Sequence, residues 1–145
     1  MLLRSLRDRF DAEAASRKVE LTVEDRSHDG HVRADARLME EALSNLIRNA
    51  LEAAPSGGRV RLRALDAERP GWVALEVEDN GPGLDGIAPG ELFKPFFSTK
   101  EKGTGLGLAH ARKIAELHGG RVEARNAQGR GSVFRLELPG KEAGA

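Results

Sequence analysis

The segment Asp79–Leu108, DNGPGLDGIAPGELFKPFFSTKEKGTGLGL, decides how the rest of the chain is read, because it joins two glycine-rich segments through an aromatic, lysine-bearing connector. In the second segment, Gly103-Thr104-Gly105-Leu106-Gly107-Leu108, alternate glycines let the backbone approach a ligand closely. Ala109–His118 then reads as helix, so the free N–H groups of its first turn and the positive end of its dipole point back at the glycines. Phosphate suits such a terminus. The spacing is not G-x-x-x-x-G-K-[ST], and no strand directly precedes it, so neither that loop nor a dinucleotide fingerprint explains it.

The first segment adds a second function. Trp72–Glu78 alternates as a strand, and Asp79 stands at its end before Asn80-Gly81-Pro82-Gly83. These residue types build turns. A carboxylate here can also accept a hydrogen bond from the exocyclic amine of adenine, whereas guanine presents an acceptor oxygen and is selected against. Gly81 and Gly83 leave room for a base.

The 145 residues, 39% hydrophobic, are one domain's worth of chain with enough apolar mass for a core. Lys plus Arg and Asp plus Glu both number 23, so nothing in the balance draws the chain to nucleic acid or to an anionic membrane. The absence of cysteine excludes disulfides, thiolate metal sites and a cysteine nucleophile. No apolar run approaches a membrane span and no signal-peptide core is present, so the expectation is a cytoplasmic, monomeric domain without direct membrane contact.

Leu2, Leu3, Leu6 and Phe10 recur at helical spacing, continued by Ala12–Ala15, and the uncapped start points to a chain that begins inside a longer architecture. Val19–Glu24 alternates as a strand, followed by the turn Ser27-His28-Asp29-Gly30, where His28 and His31 read as solvated. Asp35 is the N-cap expected for a helix to about Ala54, with Met39, Leu43, Leu46, Ile47, Ala50, Leu51 and Ala54 on one side. Glu41, Asn45, Arg48, Asn49 and Glu52 fall opposite; two asparagines one turn apart in mid-helix are poor helix formers there, which points to a task for their amides.

Arg59–Leu65 and Trp72–Glu78 form a predicted hairpin whose outer, wet face matches arginine with glutamate, and Arg121–Arg125 with Ser132–Leu138 repeat it. Leu92, Phe93, Phe96 and Phe97 anchor the connector as a lid, from which Lys100 can reach a terminal phosphate. Leu106, His110, Ile114 and Leu117 share a helical stripe, making His110 a boundary or core residue, while His118 ends that helix near its negative pole.

Taken together, five segments resemble the boxes of one family. Asn45-Leu-Ile-Arg-Asn49-Ala50 is similar to the N box, Asp79-Asn-Gly-Pro-Gly83 to the first glycine box, and Phe93-Lys-Pro-Phe-Phe97-Ser-Thr-Lys100 to the F box. Gly103-Thr-Gly-Leu-Gly-Leu108 is similar to the second glycine box and Gly129-Arg-Gly131-Ser132 to the last glycine motif. The chain so resembles the catalytic ATP-binding domain of two-component sensor histidine kinases, within the gyrase, MutL and histidine-kinase superfamily. The resemblance covers residues 1–139, leaving 140–145 as a flexible tail.

What the resemblance implies is a two-layer α/β sandwich of the Bergerat type, its mixed, mostly antiparallel sheet backed by helices on one face. ATP and Mg²⁺ are the implied cofactors. Asn49 would hold the metal through its amide oxygen, Asn45 would lie beside the phosphates, and Asp79 would bind adenine in a pocket shaped by Gly81 and Gly83. Thr104, Gly105, Leu106, Gly107 and Leu108 would face the phosphates, Ser132 would lie near the adenine, and Asn45 and Lys100 would be the catalytic pair.

Hydrolytic relatives carry a water-activating glutamate where this chain has Asn45, and an amide cannot accept that proton, so transfer to a presented nucleophile is favoured. No histidine stands in the H-E/D-x-x-x-P context, so the acceptor is expected on a separate dimerisation and phosphotransfer domain, with a response regulator reached indirectly. Lys94 stands where the F box more often has glutamate, and Glu52 where some subfamilies have lysine, which shifts the burden to Lys100. The alternatives are a serine kinase of the anti-sigma-factor type and an ATP-binding interaction module without chemistry.

Overall fold

The computed structural model describes residues 2–27, 34–95 and 106–140. In chain order the elements are α1 (Leu2–Ser16), β1 (Glu20–Asp25), α2 (Ala36–Ala53), β2 (Arg59–Asp66), β3 (Trp72–Asp79), a 3₁₀ turn (Pro89–Phe93), α3 (Gly107–Leu117), β4 (Arg121–Asn126) and β5 (Ser132–Pro139). The sheet order is β1-β2-β3-β5-β4. β1 and β2 run parallel, because α2 carries the chain back between them, and the other neighbours pair antiparallel. α1 packs over β1, α2 over β2 and β3, and α3 over β4 and β5, so the helices form one layer on one face of the sheet. This is the two-layer mixed sandwich that the sequence implies.

The longest helix, α2, starts where the Asp35 carboxylate accepts from the N–H groups of Arg37 and Leu38 at 2.9 and 3.1 Å. Such a cap is worth about 1 kcal/mol. The helix stops because Pro55 holds Ala54 in an extended conformation, ψ 138°. Its apolar side, from Met39 to Leu51, is buried against the sheet, and its asparagines lie half-exposed on the other side.

α3 begins two residues earlier than its sequence suggests, at Gly107, so this glycine itself supplies a first-turn N–H. The expected stripe is also displaced. Ala111, Ile114 and Ala115 are buried, whereas Leu106 and Leu117 are 43% and 68% exposed and His110 sits at the surface. The two alanines allow α3 a close approach to its neighbours, and that contact selects the face one residue further round the helix.

Phe93 packs edge-on against Phe134, centroids 6.1 Å apart at 76°, and pins the start of the connector to the core. The expected lid from Phe96 onward, with Phe97, lies outside the described residues, as do His28 and His31. No helix among the described residues is long and apolar enough to cross a membrane.

On the face away from the helices, one row crosses all five strands by register: Glu24, Arg63, Glu76, Arg135, Glu123. The arginine–glutamate matching expected for the hairpin is there, but the centre of this face is not wet. Glu76 is 2% exposed, held by Arg63 at 2.8 Å and Arg135 at 2.9 Å. Long guanidinium side chains fold over the middle strands and exclude water from the carboxylate they satisfy.

Candidate functional site

The end of β3 forms one corner of the site. Asp79 is 2% exposed. Its Oδ1 accepts from the Gly81 N–H at 2.9 Å, and its Oδ2 accepts from the Ser132 hydroxyl at 2.7 Å across the β3–β5 pair. A carboxylate offers about four acceptor positions, so the group keeps capacity for an incoming donor. Burial pushes the carboxyl above its ordinary value of 3.8, against the opposing pull of the Ser132 and Gly81 hydrogen bonds. Desolvation wins, so the ionised form is held at a cost that a further hydrogen-bond donor would relieve.

Two glycines make this corner possible. A Cβ on Gly81 would overlap the Ala53 carbonyl at the end of α2, and one on Gly131, whose φ is +112°, would overlap the Asp79 carbonyl. The corner is therefore wedged between the last turn of α2 and the β4–β5 turn, with Gly83 following in the same loop. Asn80 Oδ1 accepts from the Arg59 N–H at 2.8 Å, tying the loop to the start of β2. Asn126 Oδ1 accepts from the Leu84 N–H at 2.7 Å and its amide donates to Asp85 at 3.0 Å. These two asparagines escape a reading of the sequence, where they pass as ordinary turn residues; position at a strand end was the available signal.

The other part of the site lies along α2. Asn49 is one turn before Ala53 and Asn45 one turn earlier, about 12 Å of helix from the corner to Asn45. Asn45 faces the start of α3: a Cβ on Gly107 would lie 3.6 Å from Asn45 Oδ1. The structure so brings Asn45, Asn49, Gly107 and the Asp79 corner along one helix, with Leu106 exposed at the α3 terminus and Leu108 half-buried behind it. Lys100, Thr104 and Gly105 lie outside the described residues. Among the described residues no group of three or more His, Cys, Asp and Glu side chains could hold a metal ion. Amide oxygens such as that of Asn49 are the hard donors offered instead.

Two histidines join α3 to α2. His118 Nε2 accepts from the Asp35 N–H at 3.1 Å, which leaves its proton on Nδ1, 2.8 Å from the Ile114 carbonyl it donates to. His110 Nε2 lies 3.1 Å from Glu41. The two contacts tie both ends of α3 to the N-terminal half of α2, which runs antiparallel to it.

Known proteins share this fold. Residues 34–142 match the family described as histidine kinase-, DNA gyrase B-, and HSP90-like ATPase. The chain is 36% identical over 141 residues to the alginate biosynthesis sensor protein KinB of Pseudomonas aeruginosa, covering 95% of this chain but only 23% of KinB. It is similar to the catalytic domain of histidine kinase ThkA, with a TM-score of 0.85 and 33% identity over 96% of this chain and 90% of that one. It is also similar to full-length ShkA solved in complex with AMPPNP, with a TM-score of 0.85 and 30% identity, covering 96% of this chain and 29% of ShkA. The chain belongs to the histidine kinase-, DNA gyrase B- and HSP90-like ATPase family, among the catalytic domains of histidine kinases.

Proposed function

We propose that this chain binds Mg-ATP and transfers the γ-phosphoryl group to a histidine on a separate dimerisation and phosphoacceptor domain, as part of a cytoplasmic two-component signalling pathway. The observation that carries the proposal is the alignment along α2 of the buried Asp79 corner with Asn49 and, one turn earlier, Asn45, whose amide faces the N-terminus of α3. ShkA, with its bound AMPPNP, supports the nucleotide part.

The residues suit these groups. Asp79 and Ser132 keep acceptor and hydroxyl capacity for an adenine edge, while Gly81 and Gly83 present no side chain to it. Asn49 would hold Mg²⁺ with an amide oxygen, and the metal when bound neutralises phosphate charge. Asn45 and the N–H groups of Leu106, Gly107 and Leu108 would orient the phosphates, joined by Thr104, Gly105 and Lys100 from the glycine segment and the connector. Asn45 cannot deprotonate water, so positioning a nucleophile from the acceptor domain is the chemistry this site supports. Residues 1–139 act as the nucleotide-binding unit in this reading.

Calorimetric titration with ATP, with and without Mg²⁺ and against GTP, tests the nucleotide part. Joining the chain to a domain bearing an acceptor histidine tests the transfer. Acid-labile phosphohistidine is expected; binding without any phosphoryl transfer would leave an ATP-dependent interaction module, and phosphoserine on a protein partner would point to the serine-kinase branch.

A further inference from the structure

Above the outer side of α2 lies a second, open polar pocket of about 330 Å³, lined by Arg9 of α1 and His110 of α3 at its sides. Its floor is the stripe Arg37, Glu41, Ser44, Arg48, which recurs every three or four residues and so falls on one side of the helix. Asn45 lies at its edge and is the one residue it shares with the nucleotide site.

Three features make this a built site. Ser44 is 3% exposed, yet its hydroxyl has no hydrogen-bond partner among the described residues. A mid-helix serine ordinarily donates back to the carbonyl one turn earlier, so this hydroxyl is held buried with its donor unspent. The guanidinium groups of Arg9 and Arg48 both stack on the Phe10 ring, at 5.9 and 5.4 Å from its centroid, which restrains two cationic forks at the rim. Both acids of the pocket are engaged: Glu40 by Arg9 at 3.5 Å and Glu41 by His110 at 3.1 Å.

We propose that this pocket is an oxyanion site, separate from the nucleotide's, that takes a phosphate or a carboxylate beside Asn45. Restrained guanidinium forks and a buried hydroxyl donor suit planar or tetrahedral oxyanions, and three arginines disfavour a cation. The group could arrive as free phosphate or as a side chain of a docked protein, and the two sources separate in the test. The site stands independently of the kinase reading, since its own donors play no part in holding ATP.

The test is ¹H–¹⁵N NMR of the intact chain titrated at constant ionic strength with inorganic phosphate and, separately, with acetate, each with and without saturating Mg-ADP. Saturable shifts centred on Ser44, Arg48 and His110 that persist with Mg-ADP are expected. Ser44→Ala and Arg37→Gln should each weaken them about tenfold, as loss of a charge-assisted hydrogen bond does, while leaving the Mg-ADP titration unchanged. Preference for phosphate assigns the free or phosphoryl source; preference for acetate assigns a partner's carboxylate. Shifts that rise linearly without saturation, that vanish with Mg-ADP, or that both variants leave unaltered would overturn the proposal.

Discussion

The two ends of the site are built differently. At the proposed base end, Asp79 is buried in the sheet, its oxygens already holding the Gly81 N–H and the Ser132 hydroxyl, and two glycines hold the surrounding backbone in close contact. At the proposed phosphate end, Asn45 and Asn49 are half-exposed on a helix, and the α3 terminus faces Asn45. The base end shares its contacts with the core, so changing it can damage the fold; the phosphate end is mounted on a surface that tolerates change. In the proposed function, selectivity would thereby be fixed by folding, while phosphate handling would stay adjustable.

The comparison breaks most visibly at Gly131. Gly131→Ala forces a methyl into the Asp79 carbonyl at a positive φ, and should cost about 4 kcal/mol or more, read as a lowered urea midpoint with loss of nucleotide binding. Asp79→Asn separates the roles of the same corner. ATP affinity should fall about 10- to 100-fold in calorimetry, the loss of a charged acceptor, while the variant stays folded and its urea midpoint differs from the parent's in a pH-dependent way.

The pH dependence sharpens this. Because burial raises the Asp79 pKa above 3.8, its contribution to stability is complete below the unfolded-state value and is lost as pH rises through the folded one. Urea titrations from acid to neutral pH should show the parent losing this increment relative to Asp79→Asn. If Asp79 reads adenine as proposed, ATP binding favours the ionised acceptor and runs the other way, so affinity should fall more on acidification for the parent than for Asp79→Asn.

At the phosphate end, Asn49→Ala should reduce the Mg²⁺ dependence of ATP binding about tenfold while changing stability by no more than about 0.5 kcal/mol, since alanine is the better helix former. The smallest effect belongs to His110→Ala. A half-exposed pair with Glu41 is worth about 0.5 kcal/mol or less, so unfolding should barely move.

Much of this was legible in the sequence because local chemistry and periodicity agreed. The Asp35 cap, the Pro55 stop, the strand alternation and the position of Asp79 at a strand end are each written in a few adjacent residues. What escaped depends on partners far along the chain. The buried face of α3 was misjudged because leucines dominate a helical wheel, whereas the close approach to α2 is made by Ala111 and Ala115. Glu76 reads as a solvated carboxylate until β5 supplies Arg135, 59 residues away, to cover it. The Asn126 contact to Leu84 spans 42 residues and has no local signature.

The charged row across the sheet has a consequence for how the chain assembles. Sliding β5 by two residues along β3 would keep every side chain on its proper face, so burial alone would not reject the error. The slip would, however, set Glu76 opposite Glu137 in one direction or Val133 in the other, in place of Arg135. A buried carboxylate without its cation is expensive. The row therefore acts as an error check on strand alignment, placing Ser132 opposite Asp79 at the same step that seats Arg135 opposite Glu76.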